Sequence, residues 1–195
     1  MCIRDRDYTI GFDTAVNTAI EAVDRIRDTA DSHNRLFFVE VMGRDAGFIA
    51  LTAGIGSGSG KIFLPEIHTS TEDLCISLKK AIKRKKLFSL MIVAEGNKTG
   101  GAQELAKAVS AAFEDYEPRV TIIGHLQRGG SPTAMDRVLA SRLGFDAVEG
   151  LLAGKKNVMV GVVNNKTKYT SFKDAISKHK PMDKNLLRMA EILAL

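Results

Sequence analysis

Tryptophan is absent from this chain of 195 residues, and cysteine occurs only twice, at Cys2 and Cys75. Two cysteines build no disulfide framework, so a reducing cytoplasm is the expected compartment. No apolar run approaches the roughly 20 residues that span a bilayer. The N-terminus carries no apolar signal-peptide core, and no membrane partner is expected. No internal repeat is visible, and low complexity is confined to the short run Gly56-Ser57-Gly58-Ser59-Gly60. What is present is the composition of a globular protein, 45% apolar and 26% charged, long enough for one domain with a sizeable core. A net charge of +5 raises nucleic acid as a ligand. Against it, Phe12, Phe37, Phe38 and Phe63 fall in strand-like or helix-like apolar patterns, which leaves the basic residues without an aromatic-rich surface. An anionic small molecule accounts for the charge as well, and no nucleic-acid partner is expected.

Hydrophobic periodicity divides the chain into alternating helices and strands. Phe12, Val16, Ile20, Val23 and Ile26 recur at helical spacing and predict an amphipathic helix over about 14–29. A strand over 35–41, a helix over 46–54 and a short strand over 61–64, stopped by Pro65, follow. A capping box, Thr69 with Glu72 or Ser70 with Asp73, opens a helix to about 86. Strand 89–94 ends at Glu95-Gly96, and after a loop over 97–101 a helix runs to about 113. Strand 119–123, a helix over 134–152, a strand over 158–163 and a basic, less regular tail with one helix near 186–193 complete the chain. This alternation predicts an α/β fold, a mostly parallel sheet with helices on both faces. The run Gly56–Lys61 looks like a phosphate loop but fails as one. Ile55 stands where its first glycine is needed, Ile62 follows Lys61 in place of Ser or Thr, and the run joins a helix to a strand rather than the reverse.

Two segments carry chemistry. The apolar run Val120-Thr121-Ile122-Ile123 leads into Gly124-His125-Leu126-Gln127-Arg128-Gly129-Gly130-Ser131-Pro132. The strand from Arg35 to Val41 leads into Met42-Gly43-Arg44-Asp45-Ala46-Gly47. The carboxyl ends of strands are where open α/β sheets bind ligands. Arginine donates in a planar fork, and histidine adds a donor whose charge responds to a phosphate. Taken singly, each residue has a plainer account: a solvated arginine at a strand end, a histidine in a turn, a glutamate capping the next helix. Their joint occurrence at strand ends favours a phosphate site.

Together the two segments closely resemble the signatures of 6-phosphofructokinase, the ATP-dependent bacterial type, with matching order and spacing from about Asp7 onward. The resemblance implies a phosphofructokinase-like fold that is incomplete, without the N-terminal ATP-binding part. It implies that His125 and Arg128 hold the sugar phosphate of fructose 6-phosphate and that Met42 and Gly43 line the sugar pocket. Glu95, acceptor-only when ionised, suits a sugar hydroxyl. Arg44 is the implied catalytic residue, placed near the transferring phosphoryl group, where a cation stabilises spreading negative charge. Arg35 and Arg119, each at a strand start, would reach into the site of a neighbouring subunit and hold the 6-phosphate there, which implies a homo-oligomer, a tetramer in the family. An effector site for ADP or phosphoenolpyruvate would draw on Arg27, Arg84 and Lys86. Arg84 and Lys86 lie in a Lys-Arg-Lys-Lys run that a solvated basic helix end also explains. Gly60 stands where the family carries an acidic residue associated with a metal on the bound diphosphate. The implied division is 7–127 as a sugar-phosphate-binding domain, 128–175 as a helix-strand segment returning to the ATP-binding domain, and 176–195 as a tail with a helix. Residues 1–6 match nothing in the family and are set outside the fold.

The family's Thr-Ile-Asp loop with its catalytic aspartate, its Gly-rich ATP loop and its magnesium-binding Gly-Asp-Gly-Ser segment have no counterpart in this sequence. The resemblance therefore implies the C-terminal portion of a glycolytic enzyme that moves a phosphoryl group from ATP, with Mg2+, to the 1-hydroxyl of fructose 6-phosphate. ATP, Mg2+ and the general base would belong to the other portion, no metal ligand is expected here, and the portion alone would be inactive. Two alternatives stand beside it. One is a pyrophosphate-dependent relative with the same sugar site, although Glu40-Val41 before Met42-Gly43-Arg44 looks more like the ATP-dependent type. The other is a non-catalytic module that binds a sugar phosphate or an effector.

Overall fold

Strand β3 (Leu90–Ala94) reads Leu-Met-Ile-Val-Ala and is buried at every position. A strand with one wet face would alternate; a continuous apolar strand needs cover on both sides. The computed structural model, which describes residues 6–28, 35–83, 90–114, 116–177 and 180–193, supplies that cover. β3 lies inside a four-stranded sheet of order β2-β3-β1-β4, with β1 at Arg35–Val41, β2 at Lys61–Phe63 and β4 at Glu117–Ile122. Every pairing in it is parallel.

The period of two along each strand sorts side chains into two layers. Phe37, Val39, Val41, Leu90, Ile92 and Ala94 face one core, shared with α1 (Phe12–Asp28) and α2 (Phe48–Gly56). Leu36, Phe38, Met91 and Val93 face the other, shared with α3 (Thr71–Lys83) and α4 (Ala102–Ala112). α1 buries Val16 and Val23, two positions of the stripe seen in the sequence, together with Ala19 beside them. β4 is an edge strand, which is why Pro118 is tolerated within it.

The register decides where the site can form. Val41 stands opposite Ala94, and Glu40 opposite Ile122, so β1, β3 and β4 end nearly level. The segments that follow, from Met42, from Glu95 and from Ile123, therefore leave the sheet along one rim. Behind the rim, a single 3-10 turn (Gly124–Arg128) leads to α5 (Ala134–Leu152), whose N-cap Thr133 accepts a hydrogen bond from the Asp136 N–H.

Several sequence expectations need correction. Val158–Val163 is β5, but it does not join the parallel sheet. It pairs antiparallel with β6 (Lys166–Ser171) in a separate two-stranded sheet. The tail read as irregular thus contains a strand, followed by α6 (Phe172–Ser177) and α7 (Lys184–Leu193). Asn164 and Asn165 join β5 to β6 at φ 50° and 59°, the left-handed pair that a tight two-residue hairpin turn requires. β4 begins at Glu117, so Arg119 is its third residue, not its first. α2 begins two residues later than expected, at Phe48. The Gly-Ser run does connect α2 to β2. Of the two possible capping boxes, Ser70 with Asp73 forms: the Asp73 N–H donates to Ser70 Oγ and the Ser70 N–H to Asp73 Oδ2. Residues 84–86, expected to end α3, lie outside the described residues, as do Ser89 and Thr29.

Candidate functional site at the carboxyl rim of the sheet

At the end of β1 the chain turns sharply, and Arg44 adopts φ 52°. The left-handed region costs a non-glycine residue on the order of 1–2 kcal/mol, so something must hold it. Glu95, just past the end of β3, does. One carboxylate oxygen, Oε1, accepts the N–H of Gly43 at 3.1 Å and the N–H of Arg44 at 2.5 Å. Gly96 lets the two segments approach. A Cβ built there would lie 2.0 Å from the Arg44 carbonyl oxygen. Glu95 is thus committed through one oxygen to the turn that presents Arg44.

On the other side of β1, the 3-10 turn sends His125, Leu126 and Arg128 outward and Gln127 inward. Gln127 is 1% exposed. Its Oε1 accepts the Met42 N–H at 2.8 Å, and its Nε2 donates to the Ala15 carbonyl at 3.1 Å. Asp136, in the first turn of α5, is also buried. It accepts the Gly11 N–H at 2.8 Å, the Thr14 N–H at 2.8 Å and the Thr14 hydroxyl at 2.5 Å. Burial pushes the Asp136 carboxyl up, but the hydrogen bonds from Thr14 and Gly11 outweigh it and hold the group below the usual carboxylate range. In effect α5 caps the amino end of α1 with a carboxylate, where the helix dipole also favours negative charge.

Between these elements lies a cleft of about 730 Å3, lined among others by Gly11, Thr14, Arg44, Gln127, Arg128 and Arg137. It brings Arg44 and Arg128 together from two different strand ends, and adds Arg137, whose Nε donates to the Pro132 carbonyl. Three arginines lining one cleft suit an anion such as a phosphate ester, with the Asp136 carboxylate that also lines it already engaged by Gly11 and Thr14. His125 is exposed on the same 3-10 turn as Arg128, though not among the cleft's lining residues. Met42 is 6% exposed and its side chain packs in the core shared with α1 and α2; its backbone faces Gln127. Gly43 is buried beneath Glu95.

The remaining candidates lie elsewhere. The backbone of Arg35 opens β1 at the opposite end of the sheet from Arg44. Arg119 stands opposite Phe37 on β4 and is paired with Glu117 at 2.5 Å. Arg27, near the end of α1, donates to the Ser57 carbonyl of the Gly-Ser connection. Arg84 and Lys86 lie outside the described residues. Among the described residues, no three His, Cys, Asp or Glu side chains converge to hold a metal, and no helix is long and apolar enough to cross a membrane.

Sequence reasoning passed over Gln127 and Asp136. Gln127 had no legible signal, being a polar residue between two more conspicuous ones. Asp136 had one: Thr133-Ala134-Met135-Asp136 has capping-box spacing, but its carboxylate serves another helix.

Comparison with known proteins places these features in a family. The phosphofructokinase family profile matches residues 3–151. ATP-dependent 6-phosphofructokinase 1 of Thermus thermophilus is 52% identical over 189 residues, 97% of this chain and 58% of that protein. ATP-dependent 6-phosphofructokinase 2 of Bacteroides thetaiotaomicron is 48% identical over the same shares. The solved structure of phosphofructokinase from Saccharomyces cerevisiae matches with a TM-score of 0.80 at 30% identity, over 98% of this chain and 26% of that one. The chain spans 58% of the length of these bacterial relatives.

Proposed function

This chain belongs to the phosphofructokinase family, and from that premise we propose that it supplies the sugar-phosphate side of a site transferring a phosphoryl group from ATP to fructose 6-phosphate. The observation that carries this is the cleft uniting Arg44 and Arg128 from separate strand ends. Arg128, with His125 beside it, binds the ester phosphate. Met42 and Gly43, buried behind the cleft, would meet the sugar through their backbone only, and Glu95 would offer its second oxygen to a sugar hydroxyl while Oε1 steadies the turn. Arg44, held at φ 52° by that turn, meets the charge that spreads over the transferring group. Positioning and electrostatics are most of what a protein contributes to such a transfer.

ATP, rather than pyrophosphate, is the donor because the bacterial relatives at 48–52% identity carry that name. Magnesium accompanies ATP. It and the general base are assigned to the share of the relatives' length that this chain does not span. The chain alone is then inactive. The working form is a cytoplasmic homotetramer in which Arg35 and Arg119 serve a neighbouring subunit. β1 rises about 3.3 Å per residue, so Arg35 and Met42 stand roughly 23 Å apart, too far for one sugar phosphate to touch both. Arg27, Arg84 and Lys86 would bind phosphoenolpyruvate or ADP as an effector.

Titration calorimetry of the chain with fructose 6-phosphate tests the site. Binding is expected, weakened about tenfold or more in Arg128→Ala through loss of a charge-assisted hydrogen bond. Unchanged affinity in that variant would show the signature turn to be structural. Fructose 1,6-bisphosphate formation by the chain alone, at an ordinary kinase rate of about 1–100 per second, would overturn its proposed inactivity.

A further inference from the structure

Among the described residues, Gln127 is the polar member of the set of largest fully buried side chains; the others are Phe, Ile, Leu, Met and Val. Such a group is kept only if both ends of its amide are paired. Here they are paired with two different elements, Met42 N–H at 2.8 Å and Ala15 C=O at 3.1 Å. Met42 is the first residue beyond β1 and stands two before Arg44; Ala15 lies in the first turn of α1. Arg128, the next residue after Gln127, lines the cleft. One amide therefore spans the turn that carries Arg44, the turn that carries Arg128 and the helix beneath both.

We propose that Gln127 is the positioning residue that fixes Arg44 and Arg128 relative to one another, acting through the Met42 N–H and the Ala15 carbonyl rather than through the ligand. This rests on the sugar-phosphate reading above. The chemistry demands an amide. An aliphatic side chain strands a buried N–H, and an ionised carboxylate sets an oxygen against the Ala15 carbonyl. Relief comes from whichever element is least held. α1 is locked by Asp136 and by its buried stripe, whereas the Arg44 turn is held on its other side by one oxygen of Glu95 and sits in the left-handed region. The Arg44 turn is the element that moves.

The test compares the chain with Gln127→Glu and Gln127→Leu by amide hydrogen exchange and by titration with fructose 6-phosphate, at pH 7 and near pH 5. Burial raises the pKa of an introduced carboxyl, and a protonated glutamic acid again presents a donor, rather than an oxygen lone pair, to the Ala15 carbonyl. Gln127→Glu is expected to lose protection at Met42, Gly43 and Arg44 by about tenfold or more at pH 7. Protection should recover near pH 5, and sugar-phosphate affinity relative to the parent chain should follow it. Gln127→Leu is expected to lose both at either pH. Throughout, the β3 amides should keep their protection. Unchanged exchange at residues 42–44 in both variants would overturn the inference. So would a uniform loss across the sheet, which would make Gln127 a core residue only. If the parent chain does not bind fructose 6-phosphate, the functional proposal fails, while the exchange measurement still decides whether Gln127 holds the turn.

Discussion

Strand β3 and helix α5 stand for two differently built regions. All five residues of β3 are buried. Along the nineteen residues of α5, the buried ones are Asp136, Leu139 and Gly150. The inner side of α5 meets the β5–β6 hairpin through polar contacts: Thr167 donates to Asp146, the Tyr169 hydroxyl to the Asp146 carbonyl and Arg142 to the Asn165 carbonyl. Its outer side carries Val138, Phe145, Val148 and Leu152, at 68%, 67%, 56% and 79% exposure. Those positions follow one another at intervals of seven, three and four, the spacing of a helix face made for burial. The sheet region has its cover on both sides; α5 has an apolar face without one among the described residues. A contiguous exposed apolar surface of this kind is a place where folded proteins associate. The lesson concerns energy. The sheet region buries its apolar residues in two cores of its own, whereas α5 is tied to the hairpin by polar contacts and leaves its apolar side exposed.

Truncating one aromatic in each region gives the largest expected difference. Phe38→Ala should cost about 3–5 kcal/mol, the transfer and cavity terms for a fully buried phenyl ring. Phe145→Ala should change stability by less than about 0.5 kcal/mol, as for an exposed site. Urea unfolding of both variants checks this, and similar losses would mean that the chain covers α5 by self-association. Fluorescence of an apolar dye and sedimentation at several concentrations would then identify the association directly.

The second effect sits where the regions join. Asp136 anchors α5 to the amino end of α1, and Asp136→Ala removes a cap and strands the Thr14 hydroxyl. A loss of about 2–4 kcal/mol is expected at pH 7. The folded carboxyl is held below its ordinary range, so its contribution is complete above the unfolded value near about 4 and fades as pH falls through the folded value. Parent and variant stabilities should therefore converge in acid. A difference that is constant from neutral pH down to pH 2–3 would show that the ionised carboxylate contributes nothing beyond packing.

The sheet region was the legible one, and the reason is physical. A two-faced buried strand writes itself as an apolar run, and an amphipathic helix as a stripe, so β1, β3, α1 and α5 appear in the sequence close to where they form. The β5–β6 hairpin did not. Its turn is Asn-Asn, a weaker signal than Asn-Gly, and β6 alternates Lys with Thr and Tyr over a half-exposed ribbon. In the site, Arg44 and Arg128 could be found because charged groups at strand ends stand out, and the cleft does bring them together. What binds the two turns could not, because Gln127, Glu95 and Asp136 act through backbone groups of residues 51 to 125 positions away. Contacts of that span are made by topology and leave no local pattern.

Arg119 gives the smallest expected effect in the chain by itself, and the sharpest test of the comparison between the sheet's two ends. It stands opposite Phe37, five residues before Met42, or roughly 16 Å from the cleft rim at 3.3 Å per residue. Its salt bridge with Glu117 is 2.5 Å long, but the side chains are 53% and 60% exposed, and exposed pairs contribute only about 0.2–1 kcal/mol. Arg119→Ala should therefore shift urea stability by less than about 1 kcal/mol and leave the chain's own affinity for fructose 6-phosphate unchanged. If Arg119 serves a neighbour's site, the same substitution becomes costly once this chain is joined to the N-terminal portion of a bacterial relative and assembled. The KM for fructose 6-phosphate should then rise about tenfold or more, the loss of a charge-assisted hydrogen bond to phosphate. A large loss of stability in the single chain would make Arg119 a structural residue of β4. An unchanged KM in the assembled protein would confine phosphate binding to the rim that carries Arg44 and Arg128, and the amino end of the sheet would then have no part in the site.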